Sequence, residues 1–421
     1  MTRYPLLCGT VGVAALLLAC SSADSSSSNQ GLDGSYAEPG AGGSKSSEGV
    51  GASSGSSGSA GTVTADLPPP SADPGSHVSA SGGTSSGSAA STGGTGTGGS
   101  GAIAGTTSAS PPTPSDPGTG SGGVQPGTLT AGTWDDNLNF DFFTSYRKLM
   151  DAAIPSGLLP VTLDEYAAAH ALYAQTGGAK DTLDIALVID TTGSMGDEMK
   201  YLQTEFSALA TTIENRHPNA EQRWSLIVYR DVTDDYVVRS FDFDGDKAKF
   251  QQNLAAQSAA GGGDFPEAPD QALAAVPNLA WRLDDSTARL AFWVADAPNH
   301  TDKNTEMVQA IEDVGALGVH VYPVASSGID ENTELLMRSA AELTGGRYLF
   351  LTDDSGVGDS HKEPTIPCYF VTKLDAAIER MVDIELSGVY QEPAAADIIR
   401  TGGNPQSGAC ELDSGDSVLV Y

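Results

Sequence analysis

Basic residues are scarce in this chain: 21 Lys and Arg stand against 54 Asp and Glu in 421 residues, a formal net charge of −33. A surface of that sign repels phosphate backbones and anionic headgroups, which argues against nucleic-acid binding and peripheral membrane docking and suits cations. Long apolar runs are missing too, so no segment beyond the start of the chain is expected to span a bilayer. Aromatic residues are absent from Ser21 to Thr130 apart from Tyr36, and Gly, Ser, Thr and Pro crowd that stretch. Such a composition buries too little apolar surface to offset its ordering entropy, and the segment reads as disordered. It carries Asp24, Asp33, Glu38, Glu48, Asp66, Asp73 and Asp116 against Lys45, so most of the negative charge belongs to the residues after Thr130. That remainder, roughly 290 residues, is enough for one large domain with additions. Several catalytic signatures are also missing. Gly193-Ser194 is not flanked as a Gly-x-Ser-x-Gly would require, no P-loop or zinc-type His pair is present, and Asp190 stands one place too far from Thr192-Gly193 for a contiguous Asp-Thr-Gly. An enzyme is therefore not the expectation.

Cysteine is rare, with four in all: Cys8, Cys20, Cys368 and Cys410. Arg3 and a short apolar run ending Leu17-Leu18-Ala19-Cys20 read as a signal-peptide core, too short to cross a membrane. The Leu17-to-Cys20 ending resembles the bacterial lipobox, which implies cleavage after Ala19 and acylation of Cys20. The alternative is an ordinary secretory signal with a chance cysteine. More than one acyl chain is needed for stable anchoring, and lipoproteins of this type carry two or three. Ser21 after the cysteine resembles the outer-membrane sorting pattern of Gram-negative lipoproteins. The expectation is thus a protein of the cell envelope, lipid-anchored, in the outer membrane and held out toward the surface. Residues 20–128 would be its tether, spanning roughly 60 Å as a flexible coil, though a plain spacer through the envelope fits as well. In an exported chain the two remaining cysteines, Cys368 and Cys410, are expected to pair. The enclosed loop would be worth about 4 kcal/mol in the chain-entropy model.

Aromatics return at Trp134, and Phe140, Phe142, Phe143 and Tyr146 follow at helix-compatible spacing. Residues 129–181 read as an N-terminal extension packing on the main domain. Its Asp135-Asp136-Asn137 run could bind calcium, but a single acidic cluster is more often a turn or helix cap. From Thr182 strand and helix alternate. Apolar runs at 184–189, 224–229, 289–295, 319–325 and 347–351 predict central strands, and an alternating run at 237–243 predicts an edge strand. Amphipathic stretches at 197–214, 266–276, 304–316, 331–344 and 373–386 predict the helices between them. The fold class is α/β, a doubly wound and mostly parallel sheet. Residues 182–388 form the main domain, and 389–421 a tail that ends in a strand and is tied by the disulfide.

The chemistry gathers at strand ends. Asp190-Thr191-Thr192-Gly193-Ser194-Met195 follows the apolar run 184–189, placing an acid and two hydroxyls where an open α/β sheet keeps its ligand site. Asp190-x-Thr192-x-Ser194 followed by Asp197-Glu198, then Gly263-Asp264-Phe265-Pro266-Glu267, then Val294-Ala295-Asp296-Ala297 together resemble the von Willebrand factor type A domain, in the version of integrin β subunits. The resemblance covers about 182–388. It implies a Rossmann-like fold with a metal-ion-dependent adhesion site built from Asp190, Thr192, Ser194, Glu267 and Asp296. Mg²⁺ wants six oxygens and keeps some waters; Mn²⁺ or Ca²⁺ are the other candidates. The resemblance also sets Asp264 against one adjoining cation site and Asp197 with Glu198 against another. Gly262 stands where the family has a metal-binding asparagine, and helix-start acids are the plainer reading of all three. Each main ligand also has a plain reading: a cap at Asp190, a helix first turn at Glu267, a turn at Asp296.

The expected function is binding of a protein or glycan partner whose carboxylate takes the metal's open position, with the membrane met only through the lipid anchor. A metal that serves folding alone is the alternative. Asp242-Phe243-Asp244-Gly245-Asp246 reads as a solvated strand end, Arg230-Asp231 as a salt bridge, and His361-Lys362-Glu363 as structural. In the integrin version the last helix shifts along the sheet. Here a Cys368–Cys410 bridge would limit that travel and leave a site closer to constitutive than switchable.

Overall fold

A computed structural model describes residues 124–155, 157–173 and 177–420. The signal segment, Cys20 and the tether up to residue 123 lie outside the described residues. Strands β2 (Thr182–Asp190), β3 (Glu221–Tyr229), β5 (Thr287–Ala295), β6 (His320–Ala325) and β7 (Tyr348–Leu351) are the expected parallel core, and β4 (Val238–Asp244) is the expected antiparallel edge. Their apolar runs are continuous because both faces are covered. Ile185, Leu187 and Ile189 of β2 meet one layer of side chains while Ala186 and Val188 meet the other. The first layer is built from α3 (Met199–Arg216), α4 (Lys247–Ala255) and α8 (Leu374–Ser387), with Phe206, Leu254 and Met381 facing inward. Opposite lie α1 (Phe140–Ala153), α2 (Leu163–Tyr173), α5 (Pro269–Ala275), α6 (Asn304–Ala316) and α7 (Glu331–Thr344).

The sheet is wider than the sequence pattern indicates. Its order is β4-β3-β2-β5-β6-β7-β1-β8-β9, with β1 (Thr130–Trp134), β8 (Tyr369–Lys373) and β9 (Arg400–Gly402) added beyond β7. The extension at 129–181 therefore does more than pack on the domain: β1 is antiparallel to β7 on one side and β8 on the other. Ala131 pairs with Leu351, so the chain enters at the edge where the parallel strands end. Three backbone amides fasten that entry, as Gly127 N, Thr128 N and Leu129 N donate to the Glu205 carboxylate of α3 at 2.7, 2.7 and 3.0 Å. The tail likewise joins the sheet through β9, and its end forms a separate hairpin of β10 (Ala409–Glu411) and β11 (Ser417–Leu419). Cys368 and Cys410 form the expected disulfide.

Two helix starts are later than expected. A tight turn at 193–196 precedes α3, and α5 begins at Pro269 because Glu267 N donates to Pro298 O at 2.9 Å, holding Glu267 extended beside Asn299.

Of the plain readings of the extension's acids, the turn holds at Asp135, whose Oδ1 accepts from Leu138 N at 3.1 Å, while Asn139 and not an acid stands at the cap of α1; both acids also meet arginines. Asp136 makes a bidentate pair with fully buried Arg338 (2.7 and 2.8 Å), and Asp135 pairs with Arg347 at 2.6 Å. Glu334 also reaches Arg338, at 3.1 Å. Glu342, two turns further along α7, has no such partner among the described residues: both carboxylate oxygens are buried without a hydrogen bond, and His170 Nδ1 stands 3.7 Å away. Burial, followed by the charges of Asp136 and Asp135, pushes Glu342 up to about 9. The folded state keeps this proton where the unfolded chain loses it near 4.5, so its contribution is complete below pH 4.5 and is lost as pH rises toward 9. Glu342→Gln should raise the melting temperature by several degrees at pH 8 and by little at pH 4.5, as read by circular dichroism. Equal shifts at both pH values would refute the assignment.

Candidate metal site

Strand β2 lies between β3 and β5, where the sheet order reverses, and crossovers leave to opposite faces through α3 and α6. A crevice must open at the C-terminal ends of β2 and β5. Asp190 is the last residue of β2, and Asp296 follows the last residue of β5. The base of β2 is anchored independently, as buried Asp184 accepts from Arg223 Nε and Arg282 Nε at 2.9 Å each.

Beyond Asp190 the chain folds back on its own hydroxyls. Asp190 Oδ1 accepts from Thr192 N (2.9 Å) and from Thr192 Oγ1 (2.7 Å), and Thr192 Oγ1 lies 3.3 Å from Ser194 Oγ. With its proton directed at Asp190, the Thr192 hydroxyl keeps its lone pairs for another partner. Thr191 instead turns away and donates to Tyr229 O at 2.8 Å. The loop 258–263 is stitched on by Gly193 N to Gly261 O (3.1 Å), Ala260 N to Thr191 O (3.0 Å), and Arg230, which donates to Thr191 O and Ser258 O. Arg230 is thus a loop clamp and not the partner of Asp231, whose carboxylate meets His300 Nε2 at 2.7 Å.

Three carboxylates converge here. Asp190, Glu267 and Asp296 are each at most 5% exposed, and Asp190 Oδ2, Glu267 Oε2 and Asp296 Oδ1 are buried with no hydrogen-bond partner. Burial, then the charge of Asp296, raises Asp190 to about 7. Glu267 rises to about 9 through burial, then Asp190, Asp231 and Asp296. Asp296 rises to about 6, burial outweighing a hydrogen bond from Ser194, with Glu198 and Asp197 adding repulsion. Buried like charges with unfilled oxygens beside two hydroxyls form the donor set of a hard cation such as Mg²⁺. Among the described residues no group of three or more His, Cys, Asp or Glu is placed to hold a metal by itself. A cation here would therefore rest on Thr192 and Ser194 and on waters as well as the acids.

The residues weighed for adjoining sites are not drawn into this set equally. Asp264 and Asp197 stand exposed. Glu198 is buried, and its Oε1 accepts from Ser327 N (3.1 Å) and meets His361 Nε2 (2.9 Å). Against burial, hydrogen bonds to Glu198 and Asp353 hold the His361 imidazole above its ordinary value. The His361 imidazole thus stands against Glu198, the acid that the resemblance sets toward an adjoining cation. Gly262 has a physical reason to be glycine: its φ is +73°, and a Cβ would lie 3.0 Å from Glu267 Oε1 and 3.3 Å from Thr192 Cβ. Sequence reasoning missed Asp231, Asp234 and His300 as loop supports, since their partners are distant in the chain; Asp234 Oδ2 accepts from Gly262 N at 2.9 Å.

Neutralising one acid should stabilise the metal-free protein. Asp190→Asn should melt higher than wild type in EDTA at pH 8. Wild type should gain roughly 5 °C at a Mg²⁺ concentration of ~100 Kd, where ligand linkage is worth ~2.7 kcal/mol, and Asp190→Asn should gain nothing. A variant that kept the whole Mg²⁺ shift would refute the site. Gly262→Ala should cost about 1 kcal/mol in urea unfolding and weaken Mg²⁺ binding by calorimetry, whereas Gly263→Ala, with nothing within 4 Å of its Cβ, should do neither.

Residues 184–351 match the family model of the von Willebrand factor A domain. A protein of Acanthamoeba polyphaga mimivirus, named as a putative ariadne-like RING finger protein, is 26% identical over 187 residues, covering 40% of this chain and 18% of that protein. The chain therefore spans less than a fifth of that relative's length. The matched span begins in β2 and ends in β7, and the mostly parallel sheet with its reversal of strand order at β2 and β5 fits the α/β fold of that domain.

Proposed function

We propose that the protein binds a partner through a divalent cation held at the ends of β2 and β5. The observation that carries this reading is the trio of buried, unpartnered carboxylate oxygens on Asp190, Glu267 and Asp296, set beside the hydroxyls of Thr192 and Ser194. A bound Mg²⁺, with Mn²⁺ or Ca²⁺ as substitutes, would supply an electrophilic position for an incoming carboxylate. Two neutral hydroxyls among its ligands would leave it electron-poor, which suits a protein or glycan partner that offers an acid. Gly193 and Ser194 are exposed, so the site can be reached from solvent. We read the activity as binding and not catalysis, taking the Thr192 and Ser194 hydroxyls, set against Asp190 and Asp296, as ligands of the cation.

We further propose, from the signal-like segment and Cys20, that this activity belongs to a lipid-anchored envelope protein of the outer membrane with no nucleic-acid role. The chain enters the domain at the same sheet edge as the site. We also read the site as constitutive. The start of α8 is fixed by β8, which pairs with β1, and by Leu374 N donating to Leu129 O at 3.0 Å. That is a firmer restraint than the disulfide alone. A metal that serves folding only remains the second reading, favoured by the depth at which Asp190 is buried.

The two readings part in one experiment. Immobilised wild-type protein should capture envelope or matrix partners in Mg²⁺ and release them in EDTA, and Asp190→Ala should capture none while its circular dichroism stays native. Retention of every partner by a folded Asp190→Ala would exclude the binding role and leave the structural one.

A further inference from the structure

A cavity of about 340 Å³ lies at the opposite sheet edge, where β5 and β6 begin and α8 ends. That volume falls at the lower end of the ~300–1,000 Å³ typical of small-molecule sites. Glycines at 318, 345 and 388 leave the room; a Cβ on Gly345 would sit 2.4 Å from the Tyr173 ring. Its apolar walls come from Leu138, Tyr173, Ala288 and Ile384.

The charges that line it do not cancel. Arg347 is matched by Asp135 at 2.6 Å, and His320 Nδ1 by Glu385 at 2.7 Å. Lys180 and Arg289 remain. Among the described residues Lys180 Nζ donates only to Asp285 O at 2.7 Å, and Arg289 Nη1 donates to Arg282 O and Asp284 O at 2.8 and 3.0 Å. Neither meets a carboxylate among the described residues, in a chain whose net charge is −33. Arg289 Nε is buried without a hydrogen-bond partner among the described residues. Asn137 adds a second unmet demand: both its carboxamide nitrogen and its oxygen are buried and unpartnered. Unsatisfied buried polar atoms on a cavity wall call for a ligand that supplies the missing groups.

We infer that this cavity binds a small organic anion. A carboxylate or phosphate head is met by Arg289 and Lys180, Asn137 gives directional hydrogen bonds, and an apolar body lies against Tyr173 and Ile384. Charge-assisted bonds from Arg and Lys are the strong contacts, and the apolar walls give an organic body a surface to bury against.

The test uses the full chain and the fluorescent anion 8-anilinonaphthalene-1-sulfonate at pH 7.5. One dye should bind per chain, equally well in Mg²⁺ and in EDTA. Lys180→Met and Arg289→Met should each weaken binding about tenfold, about 1.4 kcal/mol. Lys180 is partly exposed, so its variant keeps the test decisive even if Arg289→Met fails to fold. The uncharged N-phenyl-1-naphthylamine should bind at least tenfold more weakly than the anion. Displacement by phenylacetate marks the head as a carboxylate, and displacement by phenyl phosphate marks it as a phosphate. The inference is overturned if the dye does not saturate at one per chain, if Lys180→Met binds it unchanged, if the neutral dye binds as well, or if neither competitor displaces it.

Discussion

Like charges held together away from water are the condition on which this structure turns. Asp190, at the end of β2, and Glu267 and Asp296, from two separate loops, come to one crevice, where burial and repulsion by neighbouring carboxylates lift all three carboxyls above their ordinary values. Such a cluster persists only if it is protonated or if a cation neutralises it, because uncompensated buried charge costs several kcal/mol per ion. The surrounding fold is built to hold the acids in place regardless. Asp184 ties the base of β2 to two arginines, Arg230 clamps the loop under Thr191, and Trp293 donates to Tyr229 at 3.0 Å behind the site. Preorganisation of this kind leaves the cation little to rearrange.

The additions around the core bear on the same edge. Strand β1 enters there, receives Glu205's support from α3, and hands its other side to β8, which leads directly into α8. The last helix is therefore continuous with a hydrogen-bonded strand and cannot slide without breaking the β1–β8 pairing. Deeper in the extension, Asp135 and Asp136 are consumed by Arg347 and Arg338, so that β1 is locked to α7 and β7 by charge as well as by pairing.

Local pattern made most of the core legible. Five buried parallel strands were readable as apolar runs, and Asp190, Glu267 and Asp296 stood out because each follows or flanks a strand end. The clearest shift concerns Glu267, whose neighbour Pro266 suggested a helix first turn; its pairing with Pro298 and Asn299 holds it extended, a fact set by residues some thirty positions away. Strand β1 was not legible, since Thr130–Trp134 gains strand character only by insertion between β7 and β8, more than two hundred residues on. The fate of Asp136 was hidden for the same reason, its arginine lying 202 residues later. Helix α4 was passed over because its short polar sequence, Lys247–Ala255, buries only Phe250 and Leu254.

A crystal structure of the domain soaked in Mn²⁺ would test the central claim most directly, since the metal's anomalous signal locates it without assumption. One strong peak is expected, bounded by Thr192 Oγ1, Ser194 Oγ and the carboxylates of Asp190, Glu267 and Asp296. A peak elsewhere, or none at saturating Mn²⁺ and pH 8, would contradict it.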